Sequence, residues 1–170
     1  MTTGSTLLLA TVALAVICVA VSAASKRPGT HWNCYHFDGS SLVKGTTPAG
    51  GSCLAVQEGV VPAVMTGSAG IEAKQLPPGS GALAGVCYIR TAGGKLASNR
   101  AFSPYPGIQL SISAGEKVML RTRTDESGYF IAVLPAGLYR INNGAFAIEA
   151  RVAPGQTKLV ALQAGKRMVD

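Results

Sequence analysis

The chain has 170 residues, of which 48% are hydrophobic and only 14% charged, enough apolar content to bury the core of one ordinary domain. Its 21 Gly and 9 Pro punctuate it with turns, which favours an all-β architecture over a helical one. The formal net charge of +7 draws such a chain to anionic surfaces. Lys and Arg are nevertheless scattered, with no basic stripe and no nucleic-acid-binding module, so nucleic acid is not an expected partner.

The first element is the uncharged run "TLLLATVALAVICVAVSAA", residues 6–24. Its small residues at the end, in "VSAASK", suit a signal peptidase, which predicts a secretory signal peptide over 1–24. Lys26 and Arg27 directly after the run, and the lack of Lys or Arg before it, also suit an uncleaved membrane anchor. Lipidation at Cys18 is a third reading, against which Ile17 stands where a small residue belongs. All three place the remainder outside the cytoplasm: periplasmic, at the cell surface or extracellular. Contact with a membrane is expected only through 6–24, if that segment is retained.

Residues 25–80 are rich in Gly, Ser, Thr and Pro, and read as an irregular segment ahead of the main domain. It opens on "HWNCYHF", residues 31–37, which holds both histidines and the only tryptophan. Of the four cysteines, Cys18 would leave with a signal peptide, and Cys34, Cys53 and Cys87 remain. Pairing Cys34 with Cys53 is the most economical choice in an oxidising compartment, since closing a loop of that size stabilises by about 3 kcal/mol. The same residues allow a metal site, with His31, Cys34, His36 and Cys53 as a tetrahedral set. Trp32, Tyr35 and Phe37 could meet a sugar or a protein partner, or pack as a lid on the following domain. "CLAVQ" and "GVVPAVM" are short strand candidates, Pro62 confining the second to an edge or a break. "LPPGSG", residues 76–81, reads as a boundary.

From residue 83 onward, short alternating segments predict seven strands near 83–90, 107–113, 117–124, 128–134, 138–142, 146–152 and 157–163, the pattern of a sandwich. A tail follows at 165–170. Period-2 alternation puts Phe130, Ala132 and Leu134 on one side, Tyr139 and Ile141 on one side, and Val160 and Leu162 on one side. On "KVMLRTRT", Val118, Leu120 and Thr122 face the core, and Met119, Arg121 and Arg123 face water. Cys87 falls on the face of Leu83 and Ile89 and reads as a buried thiol. Turns are defined by Asp125 and Gly128, by Pro135 and Gly137, and by Pro154 and Gly155.

"RTDESGYFIAVLPAGLYRI" and "VAPGQTKLVAL" resemble the carboxypeptidase regulatory-like domain, a transthyretin-like β-sandwich. The matching positions are Thr124, Asp125, Gly128 and Phe130, then Leu134, Pro135, Gly137 and Tyr139, then 154–157. The resemblance spans about 83–164, and implies a domain over 81–164 that serves as a non-catalytic module of exported and envelope proteins.

The chemistry agrees with a non-enzyme. Nucleophilic catalysis needs a base beside the nucleophile; the only histidines are His31 and His36, and the sequence has no Gly-x-Ser-x-Gly turn. Asp125 and Glu126 are adjacent in a turn and point apart. "TAGGKLAS" lacks the spacing of a phosphate loop. No cofactor is implied. The expected function is a structural, adhesive or binding module; the alternative is a small metal-binding or redox protein using His31, Cys34, His36 and Cys53. The module's binding candidates are Trp32, Tyr35, Phe37, Arg121 and Arg123, and its candidate partners an envelope glycan, another anionic surface or a protein.

Overall fold

The computed structural model describes residues 31–45, 51–67, 70–92 and 101–168. The apolar segment 6–24 with Cys18, and most of "TAGGKLAS", lie outside the described residues. Within them every regular element is a β-strand. The seven strands expected from alternation are present as β5 (Ser80–Ala92), β7 (Gln109–Ala114), β8 (Lys117–Arg123), β9 (Tyr129–Pro135), β10 (Gly137–Asn142), β11 (Ala147–Val152) and β12 (Thr157–Met168). The short β6 (Ala101–Pro104) adds to them. The stretch expected to be largely irregular holds four more strands: β1 (Asn33–Phe37) and β2 (Leu42–Lys44), which were not expected, and β3 (Ser52–Val56) and β4 (Ala63–Thr66), which fall on the candidates "CLAVQ" and "GVVPAVM". The expected tail is also partly strand, since β12 runs on to Met168.

The strands form three sheets. An outer sheet has the order β11-β10-β7-β8, and an N-terminal sheet the order β2-β1-β3-β4. Between them lies a sheet built on the thirteen-residue β5. β12 runs parallel along one edge of β5, from Thr157 beside Ala82 to Met168 beside Ala92. The other edge is shared: β9 pairs antiparallel with its first half and β6 with its second. Pro62 precedes β4, which is an edge strand, as its missing N–H requires.

The middle sheet is buried on both faces, and alternation sorts its side chains. Leu83, Cys87, Phe130, Ala132, Leu134 and Leu162 point one way, onto Leu110, Ile112, Tyr139, Ile141, Ala150 and Val152 of the outer sheet. That is the sandwich core. Ala84, Val86, Tyr129, Ile131, Leu159 and Ala161 point the other way, onto Leu54, Tyr35, Phe37, Leu42 and Val64 of the N-terminal sheet. A sheet covered on both sides needs nearly continuous apolar sequence, which is what "GALAGVCYI" and "LVAL" supply. Fully burying a Leu or Ile such as Leu83, Leu110, Ile112, Ile141 or Leu162 contributes about 1.5–3 kcal/mol each.

One expectation changes on β8. Leu120 and Thr122 are half-buried, but Val118 is 45% exposed. The pairing of β7 with β8 slips between Ile112 and Ser113, leaving Met119 without an opposite residue. A bulge of this kind turns the strand, and it carries Val118 out of the core. Gly137 also differs from expectation: Gly128 and Gly155 take positive φ of 77° and 69°, but Gly137 does not. Its turn is held by the Tyr139 hydroxyl, which donates to the Pro135 carbonyl at 2.8 Å.

Cys87 is fully buried and unpaired, and burial pushes its thiol up to about 12. The sign follows from linkage: above the ordinary thiol value of 9.0 the unfolded chain releases the proton and the folded chain keeps it. The contribution of this group is therefore whole below pH 9 and is lost as pH rises toward 12, by at most about 1.4 kcal/mol per pH unit. Tyr129, raised by burial and by the Asp125 carboxylate, acts in the same direction above pH 10. We expect Cys87 to resist a thiol-titrating reagent at pH 8 and to react at once in denaturant. Stoichiometric reaction of the native protein carrying Cys18→Ser, in which Cys87 is the one cysteine outside the Cys34–Cys53 bridge, would contradict its place in the core.

Candidate functional site

The β7–β8 end of the outer sheet is fixed by a buried hydroxyl. Thr124 Oγ1 donates to the Tyr105 carbonyl at 2.8 Å and accepts from the Ile108 N–H at 3.0 Å. The next turn is closed by Asp125, whose Oδ1 accepts from the N–H groups of Ser127 at 2.9 Å and Tyr129 at 2.8 Å. At the same end, across β7, the β10–β11 turn is built on Asn143. Its Oδ1 accepts from the Phe146 N–H at 2.8 Å, and its Nδ2 donates to the Gln163 carbonyl at 3.3 Å. The turns around this end of the sheet are therefore tied to backbone groups by side-chain hydrogen bonds.

With Leu110, Ile112, Tyr139, Ile141, Ala150 and Val152 turned inward, the intervening residues face solvent. These are Gln109, Ser111 and Ser113 on β7, Arg121 and Arg123 on β8, Leu138, Arg140 and Asn142 on β10, and Glu149 and Arg151 on β11. All four arginines are exposed. The register places Arg123 beside Gln109, Arg121 beside Ser111, and Asn142 on the other side of Ser111. Arg140 lies beside Ser113 and opposite Glu149, and Arg151 opposite Leu138. A shallow depression of about 440 Å³ opens on this face, lined by Gln109, Ser111, Arg121, Asn142, Asn143 and Gly144. Guanidinium groups beside amides and a hydroxyl suit an anionic ligand that also carries hydroxyl groups.

The other candidates sit on the far layer. Cys34 and Cys53 form a disulfide, with Cα atoms 5.6 Å apart. Their thiolates are thus unavailable to the metal set of His31, Cys34, His36 and Cys53. Among the described residues no cluster of three or more His, Cys, Asp or Glu is placed to hold a metal. His31 is exposed, and His36 Nδ1 is buried without a hydrogen-bond partner. Tyr35 and Phe37 are committed to packing. Phe37 lies 4.4 Å from the ring of Tyr88 and 4.8 Å from that of Phe102, the latter edge-on. The hairpin behind them is pinned by Asp38, which the N–H groups of Ser41 and Ser40 and the Ser40 hydroxyl hold below the usual carboxylate range. Trp32 is half-buried just before β1.

Arg121 and Arg123 were legible in the sequence as water-facing. Arg140, Arg151, Ser111 and Asn142 were not connected to them. The alternation of "GLYRIN" and "AIEARV" points each outward, but which strands lie side by side is decided by the tertiary pairing.

Fold and face together define a disulfide-stapled, all-β protein whose sandwich presents an arginine-bearing sheet to solvent. No known protein family matches the chain, and no curated protein matches it. Among solved structures it is similar to GBS52, the minor pilin of the Gram-positive pathogen Streptococcus agalactiae, at 12% identity and a TM-score of 0.40. The match covers 76% of this chain and 66% of that one, just under two thirds of its length.

Proposed function

We propose that this chain is an exported, non-catalytic β-sandwich module that binds an acidic polysaccharide of the cell envelope through the outer sheet. The carrying observation is the grouping of Arg121, Arg123, Arg140 and Arg151 on one solvent face, which also holds a depression lined by Arg121, amides and a hydroxyl. The Cys34–Cys53 bridge fits an oxidising compartment. His31 and His36 lie at or on β1, on the layer opposite the arginines, so no imidazole base serves this face. The resemblance of 83–164 to carboxypeptidase regulatory-like domains supports the same reading, because such modules are non-catalytic.

The test is retention of the full chain on immobilised polygalacturonate. At low ionic strength we expect binding that is released as salt approaches ~1 M, where the Debye length falls to ~3 Å. Arg121→Ser combined with Arg123→Ser should weaken binding about tenfold, taking up to ~1 kcal/mol per exposed pair. Lys158→Ser, at an exposed site on β12, should have little effect. If the arginine pair and the lysine matter equally, the outer sheet is not the site.

A further inference from the structure

The geometry points to a linear ligand: one acidic polysaccharide chain lying diagonally across the outer sheet, contacting Arg123, Arg121, Arg140 and Arg151 in that order. This rests on the function proposed above and extends it, from anion binding in general to a ligand of defined shape and minimum length.

The order follows from register. Arg123 and Arg121 stand two residues apart on β8, opposite Gln109 and Ser111 of β7. Arg140 on β10 lies beside Ser113, two residues further along β7. Arg151 on β11 lies opposite Leu138, two residues beyond Arg140 along β10. From Arg123 to Arg151 the path therefore advances six residue positions along the strands and crosses three inter-strand gaps. At ~3.3 Å per residue and ~4.8 Å per strand this is roughly 20 Å by 14 Å, a diagonal of about 25 Å. The widest step, between Arg121 and Arg140, is occupied by Ser111 and Asn142, which share a row with Arg121. Hydrogen-bonding groups thus fill the gap between two pairs of arginines. Glu149, opposite Arg140, is the one acidic residue among the outward positions of these strands, and it lies to one side of the line.

A small anion could engage one or two of these guanidinium groups, but only an extended polyanion engages all four. None of the outward positions on β7, β8, β10 and β11 is aromatic. Single-stranded nucleic acid is normally held by base stacking on such side chains. A uronic-acid polymer needs no stacking platform: its carboxylates match arginine forks, and its hydroxyls match Ser111 and Asn142.

The experiment measures Kd for a size ladder of polygalacturonate oligomers on the full chain at low salt, with single-stranded DNA as a parallel probe. Oligomers longer than ~25 Å should bind about tenfold tighter than those spanning only Arg123 and Arg121, with no further gain per binding site beyond that length. Arg151→Ser should weaken the long oligomers about 2–5-fold and leave the shortest unchanged; the exposed site makes misfolding an unlikely confounder, and circular dichroism checks it. Equal affinity for short and long oligomers, or equal loss at every length in Arg151→Ser, overturns the diagonal path while leaving the proposed function standing. Tighter binding of DNA overturns the choice of polysaccharide. Failure of every oligomer to bind overturns the proposed function and this inference together.

Discussion

Gly85→Ala is expected to lower the unfolding free energy by about 3 kcal/mol, at the upper end of what overpacking a core costs, and Gly85→Val to leave little folded protein. Gly85 sits in β5 between Phe130 of β9 and Val160 of β12. A Cβ built there collides with the Val160 carbonyl oxygen, and lies 2.7 Å from Val160 Cγ2 and 2.9 Å from Phe130 Cε1. The Phe130 ring can give way, but the Val160 carbonyl is backbone. β5 is paired along both edges and packed on both faces, so neither strand can retreat without breaking its other contacts. A glycine inside a strand weakens it unless another chain segment must approach closely, and here one does. Gly70 supplies the control. Nothing lies within 4 Å of its would-be Cβ, and its φ is not positive, so Gly70→Ala should change stability by less than ~0.5 kcal/mol. Urea unfolding followed by far-UV circular dichroism compares the two. If Gly85→Ala matches the control, the tight seam between β5 and β12 is wrong.

The same seam explains what the sequence disclosed and what it concealed. The seven strands after residue 80 were legible because each has one period-2 face bounded by Gly, Pro or Asp turns. The alternation even sorted Phe130, Ala132 and Leu134 from their neighbours. The bulge at Met119 was not legible, because it depends on how β8 pairs with β7. The N-terminal sheet was only partly legible. Its strands are only three to five residues long and lie in Gly- and Ser-rich sequence; "CLAVQ" and "GVVPAVM" marked β3 and β4 as candidates, but local pattern says little of β1 and β2. They are ordered by what they cover: the second apolar face of the middle sheet. The signal for that face was in β5 and β12, where apolar residues run on without alternating. Read alone, such a run cannot distinguish a doubly covered strand from a buried helix. The candidate site divides in the same way. The aromatic residues of "HWNCYHF" drew attention as a binding surface because of their chemistry. In the fold, Tyr35 and Phe37 are the lid's inner lining, while the residues left facing solvent as a group are arginines drawn from three strands, β8, β10 and β11, whose pairing local sequence does not disclose.

Removal of the Cys34–Cys53 bridge, by reductant or by Cys34→Ser with Cys53→Ser, is expected to release the N-terminal sheet before the sandwich. The bridge spans 19 residues of sequence, so its loss costs about 3 kcal/mol in the chain-entropy account. Three-residue β2 and five-residue β1 have few other means of absorbing that loss, since short hairpins are marginal in water. The sandwich core draws none of its residues from β1, β2, β3 or β4, so it should outlast them. Trp32, the only tryptophan, stands immediately before β1 and reports on that sheet separately from the backbone signal. In the bridged protein, tryptophan emission and circular dichroism should change together during urea unfolding. Without the bridge, the emission midpoint should move down by roughly 1–3 M urea, given m-values of about 1–3 kcal/mol/M, with the dichroism midpoint moving less. Opening the sheet would uncover Ala84, Val86 and Tyr129, which a hydrophobic dye would detect between the two transitions. A single transition that shifts as one would mean that the lid and the sandwich form one cooperative unit. The stapled segment would then be part of what holds the arginine face in shape, and no longer a separable cover on its far side.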